Sequence, residues 1–183
     1  MILLSCLILE RIELMAAKQQ LTDNVKLLQK AAIIRQGEFF SEVLLLQRNS
    51  SSISRPNCWD LPGGNSEWPA LQQTSAANLH LADISREIFE ETALEVSENI
   101  FDLSKLTHFS TYFDSQQQIF TIICGWGIDF SLTNQTAIQI SSEHQKYAWV
   151  TQTNLANYDF GGDRGAFVLD IATNAFAKFK DHL

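Results

Sequence analysis

Three glutamates within one predicted helix constrain this chain more than any other feature of its sequence. Glu87, Glu90 and Glu91 lie at positions i, i+3 and i+4, so a helix places their carboxylates on one face. Like charges at this spacing repel by a few tenths of a kcal/mol per pair, roughly. Bound Mg²⁺ or Mn²⁺ would offset that cost, because hard divalent cations prefer oxygen ligands. The alternative for an isolated EIFEE string is a solvated acidic helix face.

The apolar pattern predicts a mixed sheet with a helix on each face. One amphipathic helix is predicted over residues 76–94, with Leu81, Ile84 and Ile88 as its apolar stripe, and a second over 164–180. In the second helix the inward-facing residues are Phe167, Val168, Ile171 and Phe176. Strands are predicted at residues 25–35, 42–48, 106–113, 119–128 and 147–150. The order of strands, helix, strands and helix indicates an α/β fold with helices on both faces of the sheet.

Length and charge limit the class of partner. A chain of 183 residues fits one domain, which we assign to residues 25–183. The net charge of −8 repels a nucleic-acid backbone, which proteins normally grip with clustered Lys and Arg, so we expect no nucleic-acid polymer as partner. A polyanionic small molecule would need a local basic pocket or a bound cation to screen the charge.

The N-terminal extension at residues 1–24 leaves two alternatives open. Its apolar run at residues 1–9 is too short to span a membrane and lacks the basic start and cleavage site of a secretory signal. Residues 1–14 either result from an upstream start codon, with Met15 as the functional start, or form an N-terminal helix. The cysteines Cys6, Cys58 and Cys124 show no metal-type spacing, which favours reduced thiols and a cytoplasmic location.

A Pro-Gly-Gly turn precedes the acidic helix by about twenty residues. Pro62, Gly63 and Gly64 force a tight non-helical backbone, and a backbone without Cβ atoms can approach a ligand closely. We therefore expect Gly64 to lie against the substrate. This ordered combination of turn and helix favours a ligand site over a merely solvated helix face.

Two segments together resemble the Nudix box. They are WDLPGGNSE at residues 59–67 and REIFEETAL at residues 86–94. The flanks agree, because VLLLQR at 43–48 is similar to the strand that commonly precedes the box. EHQKYAWV at 143–150 is similar to the later Glu-His loop and Trp-Val strand. The resemblance covers roughly residues 25–155 and implies an α/β/α sandwich with pyrophosphohydrolase activity.

The resemblance also implies roles for individual residues. It implies a Mg²⁺ site, with Mn²⁺ as a substitute, held by the Gly63 carbonyl and by Glu87, Glu90 and Glu91. Arg86 would orient Glu90, and both would serve catalysis. Glu143 is the best match for a general base outside the helix, although an exposed loop residue without a role is the alternative.

Neighbouring aromatic and imidazole groups receive more modest assignments. Trp59 and Trp149 are interpreted as core or pocket-wall aromatics, and we include Trp59 among the substrate-binding residues. His144, beside Glu143, is interpreted as a structural hydrogen-bonding residue rather than a metal ligand.

Three departures from the family pattern surround the box. The interval from Gly64 to Arg86 is 22 positions where the motif has fourteen, so an eight-residue insertion lies in the loop at 68–78. The glutamate expected six residues after the second glycine is Ala70. The glycine that ends the family's helix is Ala93, so either the helix continues or an alanine takes a left-handed conformation at a cost of about 1 kcal/mol.

The predicted activity is metal-dependent cleavage of the diphosphate linkage in a nucleoside diphosphate derivative, nucleoside triphosphates included. The alternative is a catalytically weak or inactive Nudix-like domain that binds a nucleotide or a protein. Selectivity depends on loops and strand faces outside the box, so the sequence leaves the substrate open. It leaves the oligomeric state open too, with a homodimer as one option.

Overall fold

A computed structural model describes residues 24–67, 77–133 and 137–179. Six strands form one mixed sheet: β1 (Val25–Gln36), β2 (Ser41–Arg48), β3 (Trp59–Asp60), β4 (Leu106–Asp114), β5 (Ile119–Asp129) and β6 (His144–Thr151). The described ranges contain two α-helices, α1 (Leu79–Thr92) and α2 (Ala166–Phe179). Most of the N-terminal extension and of the inserted loop, together with Ala70, lies outside the described ranges, so those predictions stay predictions.

The sheet is centred on β1 and β2. β1 pairs in parallel with β5 and antiparallel with β2, and β4 follows β5 at the edge. β2 pairs with β6 along one side, and on its other side it pairs first with β1 and then with β3. The parallel β1–β5 pair requires a long crossover, and α1 lies within it. The prediction of a mixed sheet is therefore confirmed.

Alternating side chains of β1 and β2 enter two separate cores. Ala31, Ile33, Leu44 and Leu46 pack on the side of α1, with Ile84 and Ile88 of that helix. Ala32, Ile34, Val43 and Leu45 pack on the opposite side, with Val168, Ile171 and Phe176 of α2. Both faces of the sheet are covered, which explains why these strand segments are continuously apolar. The predicted sandwich is therefore confirmed. The predicted inward-facing residues of both helices lie in these cores, and Phe167 is partly buried.

Several boundaries and small elements differ from the sequence prediction. β3 is absent from the strands that the sequence predicts, because its two residues carry no period of their own and pair only with β2. β6 begins at His144 rather than at Tyr147, and α2 is preceded by a 3-10 turn over Gly162–Gly165. Cys58 and Cys124 are free thiols, as predicted. No helix in the described parts of the chain is long and apolar enough to cross a membrane.

The first helix ends where the family pattern has its glycine. Ala93 adopts a left-handed conformation with φ 58° and ψ 15°, and its N–H donates to the carbonyl of Phe89 at 2.8 Å. The alternative in which the helix continues is therefore wrong. Thr92, just before the cap, is buried and donates from its hydroxyl to the Ile88 carbonyl at 2.5 Å. Ala93 therefore ends the helix in the left-handed conformation, although its Cβ makes that conformation sterically unfavourable.

Ala93→Gly is therefore expected to raise the free energy of unfolding by about 1 kcal/mol, because it removes the Cβ clash of the left-handed region. Ala82→Gly is the matched control, since Ala82 is exposed in the interior of the same helix and should lower stability by about 1 kcal/mol. Urea denaturation of both variants measures the two effects. A loss of stability in Ala93→Gly would contradict the assigned strain.

Candidate active site

The Gly-Gly turn is fixed to the edge of β1 as a short antiparallel extension of the sheet. Its three backbone hydrogen bonds are Ala31 N–H to Pro62 O at 2.8 Å, Gln29 N–H to Gly64 O at 2.9 Å and Ser66 N–H to Leu27 O at 2.9 Å. Gly63 has φ 123°, and a Cβ at that position would overlap the Gln29 carbonyl. A Cβ on Gly64 would overlap the Glu87 carboxylate. Close approach to backbone and a positive φ therefore require glycine at position 63, whereas a Cβ at position 64 would displace the end of the Glu87 side chain.

Gln29 is a buried residue that sequence reasoning missed. Its amide Nε2 donates to Ser66 Oγ at 2.9 Å and to the His80 carbonyl at 2.7 Å, while its Oε1 accepts from Trp126 Nε1 at 3.1 Å. This one side chain links the sheet, the glycine turn and the first turn of α1. A glutamine within a buried strand is the only sequence feature that could have drawn attention to it.

The three helix carboxylates do not converge on one point. Glu91 is 6% exposed, and its Oε2 accepts a hydrogen bond from the N–H of Gly63 at 2.7 Å. Glu87 is half-buried beside Gly64, whereas the side chain of Glu90 is 55% exposed. Among the residues that the structure describes, no group of three or more His, Cys, Asp or Glu is arranged to hold a metal ion. Glu87 and Glu91 reach the glycine turn, and Glu90 lies on its solvent side.

Arg86 connects the two more exposed carboxylates. Its Nη1 donates to Glu90 Oε2 at 2.8 Å, and its Nη2 donates to Glu87 Oε1 at 3.0 Å. The predicted pairing of Arg86 with Glu90 is thus confirmed. Glu67 Oε1 lies 3.6 Å from the same guanidinium, so the fold brings an acid from the loop after the turn to this side of the site.

A cleft of about 840 Å³ opens in front of the glycine turn. The turn, α1 and the loop before β6 contribute Gly63, Gly64, Glu87, Glu91 and Glu143 to its wall. The exposed face of β4 and the start of α2 enclose it from the other side, with Tyr112 and Phe167 among the lining residues. Gly63, Gly64, Glu87, Glu91 and Glu143 therefore face a space large enough for a nucleotide-sized ligand, whereas the predicted site residues Arg86 and Glu90 are not part of its wall.

Comparison with solved structures identifies this architecture. A MutT Nudix hydrolase from Burkholderia pseudomallei superposes with a TM-score of 0.58 at 18% identity, covering 82% of this chain and 100% of that one. The Nudix domain of NrtR from Shewanella oneidensis, complexed with ADP ribose, gives 0.55 at 18% identity, with coverage of 88% and 95%. An Ap4A hydrolase from C. elegans gives 0.51 at 20% identity, with coverage of 86% and 96%. The chain has the Nudix fold. By sequence it matches no protein-family model and no curated protein.

Two carboxylates with raised pKa values, those of Glu87 and Glu91, lie beside the glycine turn. Burial raises the pKa of Glu91 to about 7, and the carboxylates of Asp60 and Glu87 act in the same direction. Burial also raises the pKa of Glu87, although Arg86 opposes the shift. Carboxylate oxygens next to a backbone carbonyl are the type of donor that Mg²⁺ and Mn²⁺ prefer. The donor set therefore fits a hard divalent cation.

His144 lies beside the Glu91 carboxylate. Its Nε2 lies 3.8 Å from Glu91 Oε1, and its side chain is 1% exposed. Burial lowers the pKa of His144 to about 4, and the positive charges of Lys30 and Arg48 contribute to the shift. The imidazole is consequently neutral at pH 7 and adds no positive charge beside Glu91. This geometry supports the structural role predicted for it.

A buried ion cluster behind the turn was not predicted from the sequence. Asp60 is fully buried and faces three cations, with Arg55 at 2.5 Å, Lys30 at 3.3 Å and Arg48 at 3.6 Å. These cations outweigh the effect of burial and hold the pKa of Asp60 below its ordinary value. Lys30, a charged residue inside the apolar strand QKAAII, is the one member with a detectable sequence signal.

The aromatic residues of the Nudix segments lie away from the cleft. Trp59 packs edge-to-face on Tyr158 with ring centroids 4.9 Å apart and is absent from the cleft wall. Trp149 packs against Phe130 at 5.2 Å, beneath the guanidinium of Arg35. Both positions correspond to the core interpretation, and Trp59 packs against the α2-side core. The assignment of Trp59 to substrate binding stays a prediction.

Proposed function

We propose that this chain is a divalent-metal-dependent Nudix pyrophosphohydrolase. Its substrate would be a nucleoside diphosphate derivative, either a nucleoside triphosphate or a nucleoside diphosphate linked to another group. The observation that carries the proposal is the pair Glu87 and Glu91, brought to the glycine turn at the wall of the cleft. Ap4A and ADP ribose, named for two proteins of this fold, belong to the same chemical class.

Glu87, Glu90, Glu91 and the Gly63 carbonyl are the proposed ligands of Mg²⁺, for which Mn²⁺ can substitute. When bound, such a cation supplies Lewis-acid stabilisation of the charge that develops on the phosphoryl oxygens. The Gly63 N–H fixes the orientation of the Glu91 carboxylate through its 2.7 Å hydrogen bond. Arg86 restrains Glu87 and Glu90 relative to each other through its two hydrogen bonds. We propose that the exposed Glu90 side chain rotates to join the other two ligands when the cation binds.

Two further residues are assigned to substrate and proton handling. The absence of a side chain at Gly64 leaves room for the Glu87 carboxylate at the cleft wall, and we propose that the Gly64 backbone faces the substrate there. Glu143 is exposed at the opposite end of the same wall, and we propose it as the general base that accepts a proton from the attacking water. The cleft excludes part of the solvent, which strengthens electrostatic interactions within it.

Hydrolysis assays of wild type and Glu90→Gln test the proposal. The panel should contain nucleoside triphosphates, dinucleoside polyphosphates, nucleotide sugars and dinucleotide cofactors, with Mg²⁺, Mn²⁺ or EDTA. We expect phosphate or pyrophosphate release that EDTA abolishes and that Glu90→Gln reduces at least about a hundredfold. The fold should tolerate this variant, because Glu90 is largely exposed.

Glu98→Gln is the matched control, since Glu98 is an exposed acid in a 3-10 turn outside the cleft and its replacement should leave turnover unchanged. Absence of hydrolysis across the whole panel with either metal would contradict the enzymatic proposal.

The second candidate is a domain that binds a nucleotide or protein without turnover, favoured by the exposed, Arg86-paired position of Glu90. Calorimetric nucleotide binding without turnover would support it.

A further inference from the structure

Lys30 is a buried lysine whose ammonium contacts the glycine turn. The residue is 3% exposed and projects from β1 toward the cleft side of the sheet. Its Nζ donates to the carbonyl of Gly63 and, at 3.0 Å, to the carbonyl of Leu61. The same Nζ lies 3.3 Å from Asp60 Oδ2. Three oxygen atoms from the turn and β3 thus surround one positive charge.

The Gly63 carbonyl is the backbone oxygen that the proposed function offers to a divalent cation. Gly63 therefore serves two charged groups at once, since its N–H donates to Glu91 and its carbonyl accepts from Lys30. The Lys30 ammonium also attracts the Glu87 and Glu91 carboxylates electrostatically. A divalent cation bound to the same oxygen would lie within a few Å of the ammonium, where like charges repel strongly in a partly buried site.

We propose that the Lys30 ammonium competes with the divalent cation for the Gly63 carbonyl, so that Lys30 sets how tightly this site holds metal. The inference rests on the proposed function and adds a residue that the Nudix box does not contain. Lys30 has partners to retain when it withdraws from Gly63, namely Asp60 and the Leu61 carbonyl. Competition at this oxygen therefore needs only a small movement of a flexible side chain.

Replacing Lys30 does not leave Asp60 without a counter-charge. Arg55 remains at 2.5 Å and Arg48 at 3.6 Å from the same carboxylate oxygen. Lys30→Met keeps the length and the apolar stem of the side chain while it removes the charge. Lys26→Met is the matched control, because Lys26 lies four residues earlier on the same strand and lines the same cleft but is exposed to solvent.

The test is calorimetric titration of the full EDTA-treated and dialysed chain with Mn²⁺, without substrate. We expect Lys30→Met to bind Mn²⁺ at least about tenfold more tightly than wild type, while Lys26→Met stays within about threefold of it. Lys30→Gln should also bind Mn²⁺ more tightly than wild type. It takes the place of Lys30→Met if circular dichroism shows that Lys30→Met is unfolded. A crystal structure of wild type with Mn²⁺ should show the Lys30 ammonium away from the Gly63 carbonyl.

The inference would be overturned if the Lys30 variants bound Mn²⁺ no more tightly than wild type. It would also be overturned if Lys26→Met gained as much affinity as Lys30→Met, or if no variant bound Mn²⁺. Failure of the proposed function would give a different result, namely Mn²⁺ binding without hydrolysis of any compound in the panel. Tighter binding in Lys30→Met together with absent turnover would uphold Lys30 as the competing cation and contradict the enzymatic proposal alone.

Discussion

Glu91→Gln is expected to reduce metal-dependent hydrolysis by about a thousandfold while it stabilises the metal-free protein at neutral pH. Glutamine preserves the size of the side chain, and its Oε1 can still accept the hydrogen bond from the Gly63 N–H. Only the negative charge is lost, so a change in activity reports on the metal rather than on a rearranged turn. Steady-state kinetics with Mg²⁺ measures the first effect.

The second effect follows from the environment of Glu91. Burial raises its pKa from 4.5 to about 7, so the folded protein holds this proton more tightly than the unfolded chain does. Wild-type stability therefore falls as pH rises from about 4.5 to about 7, and the loss is complete above pH 7. Glu91→Gln escapes this loss and should gain up to about 3 kcal/mol at pH 8, with no gain below pH 4.5.

Urea denaturation in EDTA at pH 4.5, 6 and 8 measures the gain. His144 shifts in the opposite direction, since its lowered pKa makes stability rise with pH between about 4 and 6.5. At pH 8 the imidazole is neutral in the folded and the unfolded chain, so His144 contributes nothing to the difference measured there. Glu98→Gln again provides the exposed control, expected to change stability little at any of these pH values. A variant less stable than wild type at pH 8 would contradict the electrostatic account.

Much of the fold could be predicted because its elements repeat one pattern over many residues. β1, β2 and β5 carry long apolar runs, and all three were predicted to within about one residue at each end. α1 carried its stripe of Ile84 and Ile88, but its end depended on one dihedral angle at Ala93. Alanine is a good helix former, so only tertiary packing around Thr92 explains why the helix stops there.

The candidate site was predictable only where its residues are close in sequence. Arg86 pairs with Glu90 one helical turn away, and helical spacing alone gives that contact. The divergent positions of Glu90 and Glu91 depend on what each side chain meets after folding, which is solvent in one case and Gly63 in the other. Contacts such as that of Gln29 with Trp126 join strands that are far apart in the sequence, so no local sequence pattern predicts them.

Asp60→Asn is expected to lower the free energy of unfolding by about 3–5 kcal/mol, the largest stability effect that we predict. The wild-type carboxylate is fully buried and compensates Lys30, Arg55 and Arg48. A neutral amide would leave three cations close together without their shared counter-charge. Leu61 would also lose part of its backbone hydrogen bond, which its N–H donates to Asp60 Oδ1 at 2.9 Å.

The pH dependence separates this electrostatic cause from a packing defect. The three cations hold the pKa of Asp60 below its ordinary value of 3.8, so the stabilisation is complete above that pH and is lost as the pH falls through the folded-state value. The difference between wild type and Asp60→Asn should therefore be constant near neutrality and shrink below about pH 4. Glu42→Gln is the control: Glu42 pairs with Arg35 at a partly exposed site, where a loss of at most about 1 kcal/mol is expected. A difference for Asp60→Asn that persists undiminished in acid would assign the loss to packing, because protonation would then have removed no favourable charge interaction.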